Sequence, residues 1–525
     1  MNTRSWQIIT AIIALLVGIY SGASYWCGLK AEATLNEQYV QLSKLPFFKV
    51  VKHSYQRGWF TSIETTELTF NQKLFQPYLN ILPANSRDWL NNTISYTNTI
   101  RHGPLPEFGS FGLRPARAVV TTEFSMSPQT RDTLAKFFGD KPPITLVNRL
   151  YFSGGGLLSI AVPQFDYEEP LSGIKINWKG LNSDIDYAAG YQSYSTTTRI
   201  PGFSLSASSK GRFELNQLAF QSNTHPGVTG VNVGASTLTI STLNLESKES
   251  IPYQIKLNEL INLLTRMHVG EFINPSGEFK PSQAQLTGLR YEIVTNEQNP
   301  FINTRGKLSF DSLSVNQQAI GPMRLDVSAN HLHGPTLLKL DKALSDIQVE
   351  GIDPAILRKQ YIDTVTHVGL PLLENDPKLV VNDFYLKLAN GEVKATGSLA
   401  LQGFTQVDLS TPLNFFKRVD GQLDLNLPRK TLENLVVAQA RNLFMVDASA
   451  ENPPSVDDID NLAKNLLDSQ LSNWIAQDYI KQTEQQLLTN IVWKLGNLSI
   501  NGHPVLLPWQ EPLPVAEEKQ NQSVK

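Results

Sequence analysis

Cysteine is almost absent from this chain. Its 525 residues include one, Cys27, which excludes an intramolecular disulfide, a thiolate metal cluster and any cysteine nucleophile beyond that position. An oxidising compartment permits disulfides without requiring them, and a chain this long can bury large cores unstapled. Charge is also sparse. Asp, Glu, Lys and Arg make up 18% of residues, for a net charge of −3. No basic stretch could neutralise a row of phosphates, so nucleic acid is excluded as an expected partner. Ser, Thr, Asn and Gln fill the polar positions instead, as they do on sheet faces.

Catalytic signatures are missing too. The chain carries no GxSxG, no HExxH and no SxxK with supporting motifs, and Gly154-Gly155-Gly156 lacks the Lys-Ser/Thr of a phosphate loop. Eight histidines occur without HxxxH spacing or an acidic partner motif. His102-Gly103-Pro104 and His333-Gly334-Pro335 repeat a tripeptide, His225-Pro226 and His503-Pro504 are near versions, and His331 lies two residues before His333. They read as turns rather than ligands. The acidic pairs Glu168-Glu169 and Asp184/Asp186 could serve sugar hydrolysis, but such pairs are commonly solvated faces. No cofactor and no metal is expected, and the chain is not read as an enzyme.

What is present begins with Ile8–Trp26, an uncharged run of 19 residues. As a helix it extends about 28 Å, close to the ~30 Å hydrocarbon layer. Arg4 on the short leading side keeps the N-terminus cytoplasmic and sends the remainder outward. A cleaved signal peptide with Ser21-Gly22-Ala23 at its junction is the competing reading. Lipid modification of Cys27 is disfavoured by the bulky Tyr25-Trp26 before it. Ala14, Gly18 and Gly22 share one helix face, and Gly18-x-x-x-Gly22 allows close approach of a second helix and a homodimer.

Past the span the texture is mainly strands and turns. A short amphipathic helix is expected over Ala31–Leu45, stopped by Pro46. Further helices are expected over Asn258–Val269, Asp353–Val368, Thr431–Phe444 and Ser455–Lys481, the last with Ile459, Leu462, Leu466, Trp474 and Ile475 among its apolar positions. Asn390-Gly391, between alternating apolar residues, signals a hairpin. A last hairpin over Leu488–Ile500 turns at Gly496-Asn497. Four segments result: 1–30 a cytoplasmic stub and anchor, 31–257 and 258–510 two β-rich lobes, and 511–525 a disordered tail.

One spacing recurs. Apolar residues fall two, three and two apart at Phe213/Leu215/Leu218/Phe220 and Leu238/Ile240/Leu243/Leu245. Further copies are Ala284/Leu286/Leu289/Tyr291, Leu308/Phe310/Leu313/Val315, Leu379/Val381/Phe384/Leu386 and Trp493/Leu495/Leu498/Ile500, with Ile63/Thr65/Leu68/Phe70 a weaker one. Strand side chains alternate strictly, so the step of three throws the apolar set to the other face unless a bulge or tight turn restores it. Breaks are therefore expected at Asn216-Gln217, Ser241-Thr242, Asp311-Ser312 and Asn382-Asp383.

Near the membrane, Arg57 is flanked by Tyr55, Trp59 and Phe60. It reads as a lipid-headgroup contact or a cation–π clamp, or else as a salt-bridged root of the first strand. In Tyr55-x-Arg57-Gly58-Trp59-Phe60-x-Ser62, in His102-Gly103-Pro104, in Gly391–Leu401, in Trp474…Tyr479 and in Leu498–Pro504 the chain resembles the YdgA family of bacterial proteins, a domain of unknown function (DUF945). That resemblance implies a single-pass inner-membrane protein with its bulk in the periplasm, and it brings no catalytic residues. The strand–turn–strand pattern, best at Leu379–Leu401, is similar to AsmA-like envelope proteins and implies an apolar sheet face suited to acyl chains. The expected fold is α+β, mainly β: one transmembrane helix, then curved antiparallel sheets with a few covering amphipathic helices. The expected function is binding of phospholipid or lipopolysaccharide on that face, with Phe384 and Leu399 pointing inward. The alternatives are a self-associating envelope scaffold and, behind it, a periplasmic hydrolase.

Overall fold

A computed structural model describes residues 3–43, 48–71, 93–107, 114–169, 172–207, 210–248, 283–315, 318–347, 354–444 and 455–507. The expected helix over Asn258–Val269, the 257/258 lobe boundary and the tail from Glu511 lie outside them. The fold is mainly antiparallel sheet, open and curved, with an N-terminal apolar helix. The chain divides into two compact units. The first is 1–295 with 310–318 and 346–362; the second is 296–309, 319–345 and 363–525.

The first helix, α1 (Thr3–Ser43), is continuous through the 41 residues. The separate helix expected from Ala31 does not exist. Nothing between Trp26 and Ser43 breaks a helix strongly enough, and Ala31 and Leu35 extend its buried face to 0% and 2% exposure. Against that face lies a meander: β1 (Phe48–Gln56), β2 (Thr61–Phe70), β3 (Thr93–His102), β4 (Ala118–Ser125), β5 (Thr145–Leu150) and β6 (Gly156–Val162), each paired to the next. The core there joins Ala31 and Leu35 to Ile100, Ala118, Val120, Leu150 and Tyr187. A helix not anticipated, α2 (Pro128–Phe138), follows β4. Ser127 caps it, with Pro128 in its first turn, a signal the sequence did carry.

A hairpin of β7 (Phe165–Glu169) and β8 (Ile174–Trp178) precedes β9 (Leu181–Tyr187). β10 (Tyr194–Ala207) pairs along one edge with β9 and then β8, and along the other with β11 (Gly211–Pro226). β12 (Asn232–Ser247) and β13 (Gln283–Gln298) continue the ladder. β14 (Phe301–Phe310) and β15 (Ser312–Val315) are separated by Asp311, and β15 pairs with β13.

The expected breaks at Asn216-Gln217 and Ser241-Thr242 are present, in a form the sequence did not specify. The ladders skip Pro201, Gln217, Ser241 and Gly288 in turn, yet pairing resumes without any shift of register. Every strand steps out at the same level, so no bulge is needed. Gln217 and Gly288 have φ of 52° and 65°, a left-handed step that turns the following side chains back to the original face. Phe213, Leu215, Leu218 and Phe220 thus stand opposite Leu245, Leu243, Ile240 and Leu238. Asp311 breaks the chain where expected. Ile63/Thr65/Leu68/Phe70 does not follow the pattern: β2 alternates strictly, so Ile63 is 45% exposed and Glu64 is 4% exposed.

The second unit holds β14, β16 (Gln318–Ile320, whose first residue belongs to the first unit) and β17 (Met323–His333), followed by α3 (Gly334–Ser345). α3 grows out of the His333-Gly334-Pro335 turn, where no helix was expected. The C-terminal half of α4 (Pro354–Leu373) comes next. Then come β18 (Lys378–Leu388), β19 (Gly391–Leu401), α5 (Pro412–Phe416), β20 (Val419–Pro428), α6 (Arg429–Phe444) and α7 (Val456–Ala476). Last are β21 (Lys481–Gln482), β22 (Gln486–Lys494), β23 (Asn497–Ile500) and β24 (His503–Val505). The sheet runs β17–β18–β19–β20–β22–β23–β24.

The break at Asn382-Asp383 is a true bulge, with the register shifting between Val381 and Phe384. Two turns sit one residue earlier than the sequence suggested. Leu388 pairs with Gly391 around Ala389-Asn390, and Lys494 pairs with Asn497 around Leu495-Gly496. Leu495 and Gly496 have φ of 52° and 81°, the left-handed pair a two-residue hairpin favours. On α7 the buried residues are Ile459, Ala463, Leu467 and Leu471, spaced by four, while Leu462 and Leu466 are exposed.

Candidate functional site: a helix clamp and an apolar groove

In the first unit, the Tyr55–Ser62 motif grips α1. Tyr20 and Phe60 stack with centroids 6.5 Å apart, and Tyr25 lies 5.0 Å from Trp59. The Trp59 indole donates to Ser21 Oγ at 2.7 Å. Arg57 Nη1 donates to Glu32 Oε2 at 2.9 Å, and its guanidinium lies 5.5 Å from the Tyr25 ring centroid. Arg57 therefore makes an ion pair and a cation–π contact to the same helix. Tyr55 packs on the Ala31/Leu35 core.

Below the clamp, His102 is 2% exposed. Its Nδ1 lies 2.9 Å from the Ser24 carbonyl oxygen, which fixes the proton there, and Nε2 accepts from Ser62 Oγ at 3.0 Å. Burial lowers the His102 pKa, so the ring is held neutral. This Ser–His pair has the geometry of an activated hydroxyl, but α1 covers it and Ser62 is 0% exposed. It pins the helix. Gly28 makes the approach possible, because a Cβ there would stand 2.6 Å from His102 Cε1.

Farther along α1, Tyr39 stacks on His53 at 4.0 Å, and His53 meets Thr66 Oγ1 at 3.1 Å. Glu64 accepts from Asn98 Nδ2 at 2.7 Å and lies 3.8 Å from His53. Burial raises the Glu64 pKa, and the Asn98 bond offsets only part of it. An acid with a raised folded-state pKa favours its neutral form. Its stability is full below the unfolded pKa and is lost as pH rises through the folded one. Glu64→Gln is expected to raise the melting temperature at neutral pH, with the gap closing as the pH falls to about 4. A gap independent of pH in thermal melts contradicts this.

Among the described residues, no atom outside the helix's own backbone lies within 4 Å of where a Cβ on Gly18 or Gly22 would stand, and Ala14 is exposed on the same side. The small-residue face is thus turned away from the sheet. Gly18→Ile is expected to reduce the crosslinked dimer formed in membranes, and an undiminished yield removes this face as a dimer contact.

The second unit presents a groove of about 380 Å³. Its floor is the part of two aligned rows of the sheet that lies on β18, β19, β20 and β22. Ala329, Leu379, Leu399, Gly421, Trp493, Leu498 and Val505 stand directly opposite one another across seven strands. The next row is Val327, Val381, Gly397, Leu423, Ile491 and Ile500. Gly421 and Gly397 lower the floor between larger neighbours. Leu379, Leu399 and Leu423 are 53%, 50% and 36% exposed.

The same face is covered at both ends of the strands. Leu401, Phe404 and Val419 are packed by Leu370, Leu373, Phe415 and Phe416, and the Trp493 indole donates to the Phe416 carbonyl at 2.9 Å. At the other end Leu487 is buried by Leu467 and Leu471, with Leu432, Val436 and Ile475 around them. The helices thus wall a channel and leave its middle open. Leu399 is part of the groove lining, while Phe384 sits two rows on, opposite Ala395, on the same face but outside that lining.

Sequence reasoning missed Gly28, Ser62 and His102 as one cluster, and Leu423, Ile491 and Trp493 as groove lining. A glycine inside an apolar alternating strand, as at Gly397 and Gly421, was the available signal. Among the described residues no three His, Cys, Asp or Glu side chains could hold a metal ion. His331 stacks on Phe301 at 3.6 Å, His333 meets Thr336 Oγ1 at 2.8 Å and His503 meets Asp478 at 3.1 Å. Of the acidic pairs, Glu168 meets Lys175 at 2.9 Å, Glu169 accepts from Ser172, Asp184 accepts from Ser159 at 2.6 Å and Asp186 accepts from Tyr151 at 2.8 Å.

The clamp fixes an apolar N-terminal helix to a β-rich body; α1 is long and apolar enough to cross a membrane between Trp6 and Val40, which fits a single-pass anchor. The chain belongs to the family described as bacterial protein of unknown function (DUF945), whose model matches residues 5–508. No curated protein matches it.

Proposed function

We propose that this chain is an inner-membrane-anchored, non-enzymatic protein of the bacterial periplasm that carries an acyl chain of a phospholipid or lipopolysaccharide in the groove of its second unit. The carrying observation is the exposed Leu379–Leu399–Leu423 surface, walled at both strand ends by packed helices. Monomeric proteins rarely leave such a contiguous apolar patch uncovered without a use. The lining residues stand on four neighbouring strands, β18, β19, β20 and β22, which at ~4.8 Å spacing extend about 14 Å, room for part of one acyl chain. Binding there would come from non-directional apolar burial.

Native mass spectrometry of the full chain, released from a detergent micelle, tests the reading. The expected result is one lipid retained per chain. A lipid-free dimer supports instead the scaffold reading, in which a second copy covers the face.

A further inference from the structure

The two sides of α1 define different membrane boundaries. On the side turned from the sheet, the helix stays apolar from Trp6 past Gly22 and Trp26 to Leu29, with Lys30 the first charge after Arg4. That is about 35 Å of helix, a full bilayer crossing. On the other side, the folded unit already contacts α1 at Tyr20, whose hydroxyl donates to the Leu105 carbonyl at 3.3 Å. Only about 20 Å of helix, from Trp6 to Ile19, stands clear below that contact. A bilayer of ~30 Å cannot end at Tyr20 on one side and at Leu29 on the other.

We infer that the rim formed by Gly58-Trp59-Phe60 and Pro104-Leu105 dips into the outer leaflet, and that its partner is the phospholipid bilayer itself. The depth follows from the helix: Tyr20 to Leu29 is about 14 Å of rise. The rim suits that position. Trp59 and Phe60 are 54% and 48% exposed, apolar surface that hydrocarbon can cover, and Trp26, nearer the helix's exit from the membrane, is 50% exposed, where interfacial aromatics sit. Several polar groups at this level are spent internally: the His102 nitrogens on Ser24 and Ser62, the Trp59 indole on Ser21, and the His102 and Gly103 amides on the Phe60 and Arg117 carbonyls. Backbone groups in hydrocarbon require this. Arg57 pairs with Glu32, beyond Lys30, at the level of the headgroups.

The full chain carrying Cys27→Ala is spin-labelled at Phe60→Cys and reconstituted in phosphatidylethanolamine/phosphatidylglycerol vesicles. Collision rates with oxygen and with a water-soluble nickel chelate report the depth. Leu16→Cys is the bilayer control. Ser125→Cys, at the far end of β4, is the aqueous control. The expected result is an oxygen-to-nickel ratio at position 60 near that of position 16. A ratio matching position 125 overturns the inference. Leu105→Cys, on the neighbouring loop, repeats the measurement without disturbing the Tyr20–Phe60 stack and is read the same way.

Discussion

Leu399→Asp is expected to empty the groove while leaving the fold intact. Leu399 is half exposed in the free protein, so the substitution disturbs little that is packed. With a ligand bound, the loss of one buried leucine removes roughly 1.5–3 kcal/mol, and the carboxylate must also be desolvated against an apolar chain. Together these lower lipid retention at least ~10-fold. Competition with a fluorescent fatty acid, on protein whose melting temperature is unchanged, measures it. Unchanged affinity would place the ligand elsewhere.

Gly28→Val is expected to have the largest effect on the fold of the first unit. The new side chain would run into the His102 ring, which cannot yield because its two nitrogens are held by Ser24 and Ser62. Overpacking of this kind costs about 1–3 kcal/mol and is relieved by lifting α1 off the sheet. Gly22→Val is the matched control, since no atom of the described residues outside the helix's own backbone lies within 4 Å of a Cβ there. Limited proteolysis of the two variants should show β1–β3 cleaved faster only in the Gly28→Val protein. Equal rates would mean that α1 is not held at this point.

The N-terminal apolar helix, the strand-rich body and the phase breaks were legible because each has a local signature. An uncharged run, alternation and a step of three are written in consecutive residues. The matched kink at Pro201, Gln217, Ser241 and Gly288 was legible as a position but not as a mechanism, since whether neighbouring strands step out together depends on pairing. β2 was misjudged for a related reason. Its apolar residue Ile63 faces outward and its Glu64 inward, because Asn98 and His53 lie across from it.

The clamp was half legible. Tyr55, Arg57, Trp59 and Phe60 stood out, but their partners Tyr20, Ser21, Tyr25 and Glu32 lie inside a helix whose own pattern already had an explanation. The groove was legible as a face and not as a place. Leu399 and Phe384 belong to the same strand surface, and only the seating of the helices over Leu401 and Leu487 decides which stretch stays open.

Photo-crosslinking from the groove tests the central claim most directly. A benzophenone amino acid is placed at Leu399 of the full chain and activated in living cells. The account predicts a lipid adduct on the monomer, seen as a mass increase that is lost when the benzophenone is moved to the exposed helix position Leu466. A crosslinked dimer in place of the lipid adduct would contradict it and show the groove to be a contact between two copies.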